Sequence, residues 1–108
     1  MKKYLLIESS DPFESTEPER CYELAAQLAK EGNEVTLFLI QNGVFAARSS
    51  VKSKRLEELA KKGVTVLADD FSLKERGIIN ARLAGGVKPA PIDTVVDALG
   101  EGHKTFWH

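Results

Sequence analysis

The sequence feature that most constrains the fold is an apolar run at residues 35–40, flanked by Gly32 and Asn33 before it and by Asn42 and Gly43 after it. A strand with one buried face alternates apolar and polar residues, and this run hardly alternates. Strands covered on both faces show such a pattern, which is typical of parallel sheets between two layers of helices. The run therefore predicts the central strand of a parallel α/β sheet, in which ligands bind beyond the carboxyl ends of the strands.

Length and composition limit the class of protein. A chain of 108 residues suits a single domain, residues 1–108, with one core. Lys and Arg number 15 and Asp and Glu 16, a balance that gives no argument for nucleic acid or an anionic membrane as partner. The single cysteine fits a reducing compartment. With no secretory signal pattern and no apolar run long enough to span a bilayer, we expect a soluble, cytoplasmic protein.

The rest of the chain alternates predicted strands and helices. Thr16 and Glu19 have the spacing of a capping box at the start of the first helix, and Gly63 has the position of a left-handed cap at the end of the second. Two prolines in the fourth strand confine it to a sheet edge. The predicted strands cover residues 3–7, 35–40, 64–68, 87–91 and 104–107. This order predicts a three-layer α/β/α sandwich.

Several motifs recur in the order and spacing of a known family. They are a Leu-Ala-x-x-Leu-Ala-x-x-Gly helix end (24–32), the strand Glu-Val-Thr-Leu-Phe-Leu (34–39), an Asn-Gly-Val loop (42–44), the strand Gly-Val-Thr-Val (63–66) and the segment Ser-x-x-x-Arg-Gly-Ile (72–78). A helix and a strand close the chain. In these features the sequence resembles the small DsrE/DsrF-like proteins of the sulfur-relay type.

The resemblance implies a fold and a function. It implies one DsrE-like domain with a parallel five-stranded sheet, ordered 4-3-2-1-5, and self-association as trimers or hexamers. Active members of the family carry a persulfide on a cysteine directly after the third strand and pass sulfur to other relay proteins. Here that position falls at Asp69, and a carboxylate cannot hold a persulfide. The sequence thus predicts a binding or scaffold subunit in intracellular sulfur transfer, without the family thiol.

Cys21 is the only thiol and offers an alternative function. A sulfurtransferase, sulfur carrier or reductase would use its place near a helix N-terminus, where the dipole favours a thiolate. However, Cys21 shares an apolar stripe with Leu24, Ala25 and Leu28 at helical spacing. That pattern favours a small buried core residue.

Asp69 and Asp70 offer a further alternative, a small-ligand enzyme that uses one of them as acid or base. A receiver-like acidic site is a looser version of the same idea. Its residues would be Glu8, Asp11, Asp69 and Lys104. The pattern favours a simpler role, in which an aspartate caps the short helix that follows.

Polar residues after the second and third strands form the predicted ligand site. Asn42 and Gly43 follow the second strand, while Asp70, Ser72 and Arg76 follow the third. Because neighbouring strands lie about 4.8 Å apart, the two loops would converge on one ligand. Arg76 would neutralise a carboxylate or another anion.

The remaining features predict no cofactor and no metal. The two histidines have no accompanying cysteines and form no recognisable zinc site, and no dinucleotide fingerprint follows a strand. A local basic cluster is typical of a solvated face, with an anionic ligand or an acidic partner as the other interpretation. Its members are Arg48, Lys52, Lys54 and Arg55.

Aromatic residues predict self-association. The core of so small a domain cannot easily bury all the aromatic surface of four rings, those of Phe45, Phe71, Phe106 and Trp107. Apolar area of this kind at a surface marks an interface. We therefore expect a homo-oligomer that uses some of these rings.

Overall fold

The computed structural model describes residues 1–50 and 53–108, so Lys52 of the predicted basic cluster lies outside the described residues. The strands form one parallel sheet with the order β4-β3-β2-β1-β5. They are β1 (Lys3–Glu8), β2 (Glu34–Leu39), β3 (Thr65–Asp69), β4 (Val87–Ala90) and β5 (Lys104–Trp107). The expected strand order is confirmed.

Helices connect the strands. They are α1 (Glu17–Lys30), α2 (Lys54–Lys61), α3 (Asp70–Glu75) and α4 (Asp93–Gly100), with 3₁₀ helices at Gln41–Ala47 and Asn80–Arg82. No helix among the described residues is long and apolar enough to cross a membrane.

The central strand β2 is buried on both faces, as its lack of alternation predicts. Leu37 packs in a core cluster with Leu56 and Leu59 of α2 and with much of α1. Phe38 points to the opposite face and packs in a second cluster with Val95 and Ala98 of α4. Since each layer of helices covers one face of the sheet, the three-layer α/β/α architecture is confirmed.

The carboxyl ends of the three central strands meet at one edge of the sheet. Glu8 pairs with Leu39, and Leu39 pairs with Ala68, the residue before Asp69. Lys104 pairs with Tyr4 at the beginning of β1, so it lies at the other end of the strands. The receiver-like arrangement is therefore wrong, because its lysine does not reach its acidic residues.

Two local predictions have different outcomes. The strand with the prolines, β4, does lie at a sheet edge. The capping box at α1 is wrong, because the Thr16 side chain makes no capping hydrogen bond. Thr16 has helical backbone angles (φ −92°, ψ −6°), whereas a capping hydroxyl needs extended ones. In addition, Pro18 has no N–H to offer in the first turn.

Candidate functional site

The third strand ends in a buried carboxylate that caps the next helix. Oδ2 of Asp69 accepts hydrogen bonds from the backbone N of Ser72 at 3.0 Å and from its Oγ at 2.6 Å. Asp69 is 4 % exposed. The position expected for the family cysteine thus holds an aspartate that is committed to closing the first turn of α3.

Hydrogen bonds join the loop after β2 to the segment after β3. Ser72 Oγ accepts from the backbone N of Gln41 at 2.9 Å, and Arg76 Nε donates to Asn42 Oδ1 at 3.0 Å. Arg76 Nη1 also donates to the carbonyl oxygen of Ser72 at 3.3 Å. Gln41 has a φ of +52°, an uncommon angle for a residue with a side chain. The two loops predicted to converge therefore do so, through direct contacts.

Gly43 has a structural role at this edge. It is buried, and a Cβ placed on it would overlap the carbonyl oxygen of Glu8. The same carbonyl accepts a hydrogen bond from the backbone N of Ile40 at 3.0 Å. A residue without a side chain is required where two backbones approach this closely. Gly43 fixes the turn against β1, and its contribution to a ligand is limited to the backbone.

The rim of the site contains the predicted exposed charge of Asp70 and contacts between arginines and a ring that the sequence reasoning missed. Asp70 begins α3 and is exposed. The guanidinium carbons of Arg48 and Arg76 lie 5.8 and 5.9 Å from the centroid of the half-buried Phe45 ring. Arg48 follows the 3₁₀ helix that contains Phe45 and has extended backbone angles (φ −70°, ψ 128°), so no local spacing rule predicted these contacts.

A second acidic residue of this edge, Glu8, is fully buried at the end of β1. Its Oε2 accepts a hydrogen bond from the backbone N of Ser10 at 2.9 Å. Its Oε1 has no hydrogen-bond partner within residues 1–50 and 53–108. Burial therefore raises the pKa of the Glu8 carboxyl above its ordinary value of 4.5, because desolvation disfavours the charged form.

Cys21 lies in the core beside Glu8 and is 0 % exposed. Burial, and then the neighbouring Glu8 carboxylate, raise the pKa of the Cys21 thiol to about 12. The thiol lies against that carboxyl, but an S–H group is a weak donor and it leaves Oε1 of Glu8 unsatisfied. The thiolate is the nucleophilic form, so burial and the raised pKa both disfavour a reaction of Cys21 near neutral pH.

The hollows of the surface lie away from the aspartates. The two largest that we describe have volumes of about 490 and 730 Å³, and neither is lined by Asp69 or Asp70. The first lies between the loop before α1, Tyr22 and Arg55. Within the described part of the chain, no group of three or more His, Cys, Asp or Glu residues could hold a metal ion. The concave pocket that an acid–base enzyme would need around Asp69 is therefore not one of these hollows.

Known proteins share the sequence pattern and the fold of this chain. The model of the DsrE/DsrF-like family matches residues 2–107. The chain belongs to the DsrE/DsrF-like family. Family membership suggests a sulfur-relay-related fold for this chain. No curated protein matches the chain.

Solved structures of other proteins share this DsrE-like fold. The ychN protein from E. coli is 21 % identical, covers 100 % of both chains and superimposes with a TM-score of 0.92. MTH1491 from Methanobacterium thermoautotrophicum, of unknown function, is 20 % identical over 97 % of this chain and 96 % of its own, with a TM-score of 0.75. BT1422 from Bacteroides thetaiotaomicron, also of unknown function, is 18 % identical over 98 % and 95 %, with a TM-score of 0.77.

Proposed function

We propose that this DsrE-like protein is a binding or scaffold subunit in intracellular sulfur transfer that carries no sulfur itself. The observation that carries the proposal is the state of Asp69, a 4 % exposed carboxylate whose Oδ2 is held by Ser72. It fills the position that the family thiol would occupy. The partners of such a subunit are sulfur-relay proteins, which it would hold without taking part in the transfer.

The same proposal assigns the ligand-facing groups. Arg76 donates to the Asn42 side chain and to the carbonyl oxygen of Ser72. Ser72 itself is buried, contrary to its predicted place in the ligand site, so it supports the two groups that can face a ligand, Asn42 and Arg76, and holds Arg76 before a ligand arrives. Preorganised polar groups of this kind bind at a lower entropic cost. Arg76 and the exposed Asp70 supply charges of both signs at the rim. This favours a polar ligand, or a polar segment of a partner protein, beyond the carboxyl ends of β2 and β3.

The two enzymatic alternatives have less support. Sulfur transfer through Cys21 needs an accessible thiolate, while the thiol is 0 % exposed with a pKa of about 12. Acid–base chemistry at Asp69 needs a carboxylate open to substrate, and this one is buried in a cap. Asp70 is exposed, but no described hollow surrounds it. Binding without chemistry remains the function that the geometry favours.

A direct test loads the folded protein with sulfur. After incubation with polysulfide and removal of the excess, we expect the intact mass of the native protein to be unchanged. The Cys21→Ala variant, which has no thiol, is the matched control for non-covalent sulfur. A mass gain of one sulfur atom that is present in the native protein and absent from Cys21→Ala would overturn the proposal.

A second test restores the family thiol. In a Cys21→Ala background, the thiol of Asp69→Cys should react with maleimide faster than Cys21 does in the native protein. The N–H and O–H of Ser72, which now bind Oδ2, would stabilise a thiolate. Asp70→Cys in the same background gives the rate of an exposed thiol for comparison. If the thiol at position 69 is as unreactive as Cys21, the alignment of Asp69 with the family cysteine is wrong.

The proposed subunit is a homo-oligomer, a trimer or a multiple of a trimer. Apolar side chains remain exposed on α4 and on the edge strand β5, including Val96 (63 %), Phe106 (42 %) and Trp107 (62 %). Trp107 pairs with Ile7 and therefore lies on the sheet face that α4 covers. Exposed apolar area beside an unpaired strand edge favours association.

Light scattering at micromolar concentration tests this expectation. We expect a mass of three chains or a multiple, and a smaller mass for Trp107→Glu. Phe71→Ser is the matched control, because Phe71 is equally exposed (64 %) but lies on α3. A monomeric native protein would contradict the proposal, and dissociation of Phe71→Ser alone would move the interface to α3.

A further inference from the structure

A second basic feature lies beside the candidate site, in a hollow between two irregular segments. The hollow has a volume of about 260 Å³ and is lined by Arg48, Gly77, Ile78, Ile79 and Arg82. This volume is smaller than the roughly 300–1,000 Å³ of pockets for drug-sized ligands. The space therefore suits a small group.

The backbone fixes the two arginines on the rim of this hollow. Arg48 forms an isolated antiparallel bridge with Leu83. Ser49 N donates to the carbonyl oxygen of Arg82 and Ala84 N to that of Ala47, both at 2.8 Å. These bonds bring together segments that are far apart in the sequence. The positions of the two arginines are thus set by main-chain contacts, and their side chains are left for other interactions.

The charge of this hollow is not neutralised by the protein. No carboxylate within residues 1–50 and 53–108 forms an ion pair with Arg48 or Arg82. By contrast, Arg55 pairs with Glu19 at 2.7 Å and Arg76 with Glu75 at 3.8 Å. The guanidinium of Arg48 instead lies 5.8 Å from the centroid of the Phe45 ring. Neighbouring positive charges without a counter-ion repel one another, and an anion between them removes that repulsion.

The lining residues indicate which anion fits. A guanidinium presents a planar set of N–H donors that binds oxoanions through paired hydrogen bonds. Contact with Phe45 restricts the Arg48 side chain before binding, which lowers the entropic cost. Ile78 is 6 % exposed and gives the hollow an apolar wall, against which electrostatic attraction is stronger than in open water.

We propose that Arg48 and Arg82 form a binding site for a small oxoanion such as phosphate or sulfate, free or as the terminal group of a larger ligand. The hollow adjoins the candidate site, since Arg48 and Arg76 contact the same Phe45 ring, but Asn42, Ser72 and Arg76 do not line it. The proposal also does not depend on whether the protein carries sulfur. Failure of this proposal would therefore leave the thiol tests described above unaffected.

Calorimetric titration with inorganic phosphate at low ionic strength tests the site. We expect saturable binding of one phosphate per chain. Arg48→Gln and Arg82→Gln should each weaken it at least about tenfold, the loss that corresponds to one charge-assisted hydrogen bond. Gln keeps the backbone contacts, so both variants should fold, as circular dichroism will show. A phosphate-dependent rise in melting temperature, absent from both variants, is the second readout.

Matched controls distinguish a specific anion site from general electrostatic attraction of anions to the protein surface. Arg20→Gln removes an exposed arginine of α1 that lines no part of the hollow, and it should bind phosphate like the native protein. Equal weakening by Arg20→Gln, absence of saturable binding, or acetate binding as tight as phosphate would overturn the proposal. Tighter binding of glycerol phosphate than of phosphate would support the site and identify the terminal group of a larger ligand as the anion.

Discussion

Two buried carboxyl groups, those of Glu8 and Asp69, lie at the carboxyl ends of the strands on either side of β2, and their surroundings differ. Asp69 ends β3, and one of its oxygens accepts two hydrogen bonds from Ser72. Glu8 ends β1, where Oε2 accepts a single N–H from Ser10 and Oε1 has no partner among the described residues. Burial raises the pKa of the Glu8 carboxyl.

The difference shows that burial alone does not set the energetic role of an acidic residue. A buried polar group that lacks a hydrogen bond destabilises the fold by about 1–3 kcal/mol, whereas a satisfied one contributes a modest stabilisation. Asp69 is satisfied by its own helix, three residues further along the chain. Glu8 is satisfied only at Oε2, by the backbone N of Ser10, and the neighbour that another element supplies to its carboxyl is the weakly donating Cys21 thiol of α1.

The largest expected effect comes from removing the satisfied carboxyl. Asp69→Ala deletes the cap of α3 and leaves the N–H and O–H of Ser72 without an acceptor, so we expect a loss of about 1–3 kcal/mol in the free energy of unfolding. Urea denaturation measures it. The control Asp70→Ala, at an exposed neighbour, should change stability by less than about 0.5 kcal/mol. Equal stability of Asp69→Ala and the native protein would remove the contrast with Glu8.

A smaller effect is expected at the neighbour of Glu8. Cys21→Ala deletes one buried heavy atom and should fold with a stability lower by about 1 kcal/mol, while any binding function persists. Cys21→Ser keeps the size and adds a better donor beside the Glu8 carboxyl, one oxygen of which is unsatisfied, so it should be more stable than Cys21→Ala. Chemical denaturation of the pair checks this. A Ser variant less stable than the Ala variant would show that position 21 does not reach Oε1.

The smallest change in stability is expected for Glu8→Gln, and its direction with pH is the informative quantity. Glu8→Gln removes the titration and keeps the shape of the side chain. Because the folded state raises the pKa of Glu8 above 4.5, the native protein is favoured below that pH and loses this contribution as pH rises through the raised pKa. Stability of Glu8→Gln relative to the native protein should therefore increase from about pH 4 to about pH 7. A constant difference across this range would mean that Glu8 does not titrate with folding.

Much of the fold could be predicted from the sequence, because the decisive signals are local. The unalternating run at 35–40 predicted a strand buried on both faces, and β2 is that strand. Gly63, with φ of +97°, ends the second helical segment as its position indicated. The prolines of β4 predicted its place at the edge. The glycine and proline signals depend on a residue's own conformational limits, and the strand signal depends on the hydropathy of a short segment, so none of the three requires a distant partner.

The site was predictable in part. The convergence of Asn42 with Arg76 followed from the neighbouring positions of β2 and β3, and the capping by Asp69 followed from a residue three positions away. The capping box at Thr16 failed although its spacing was correct, because the chain enters α1 with helical backbone angles. A rule based on residue spacing does not include the backbone angles of the residue that precedes the helix.

Only the tertiary structure decided which distant groups surround each charge. In the sequence Glu8 and Asp69 are alike, acidic residues at the ends of apolar strands, and Arg48 and Arg82 are two of five arginines. Folding brings Cys21 to the Glu8 carboxyl and the two arginines to the rim of one hollow. The sequence by itself determined the strands, the turns and the absence of a thiol at position 69. The hydrogen bonds to the two carboxyl groups come from residues two and three positions away, whereas the Cys21 neighbour of Glu8 and the pairing of the two arginines come from elements distant in the chain. Such neighbours determine the energy of a buried or clustered charge.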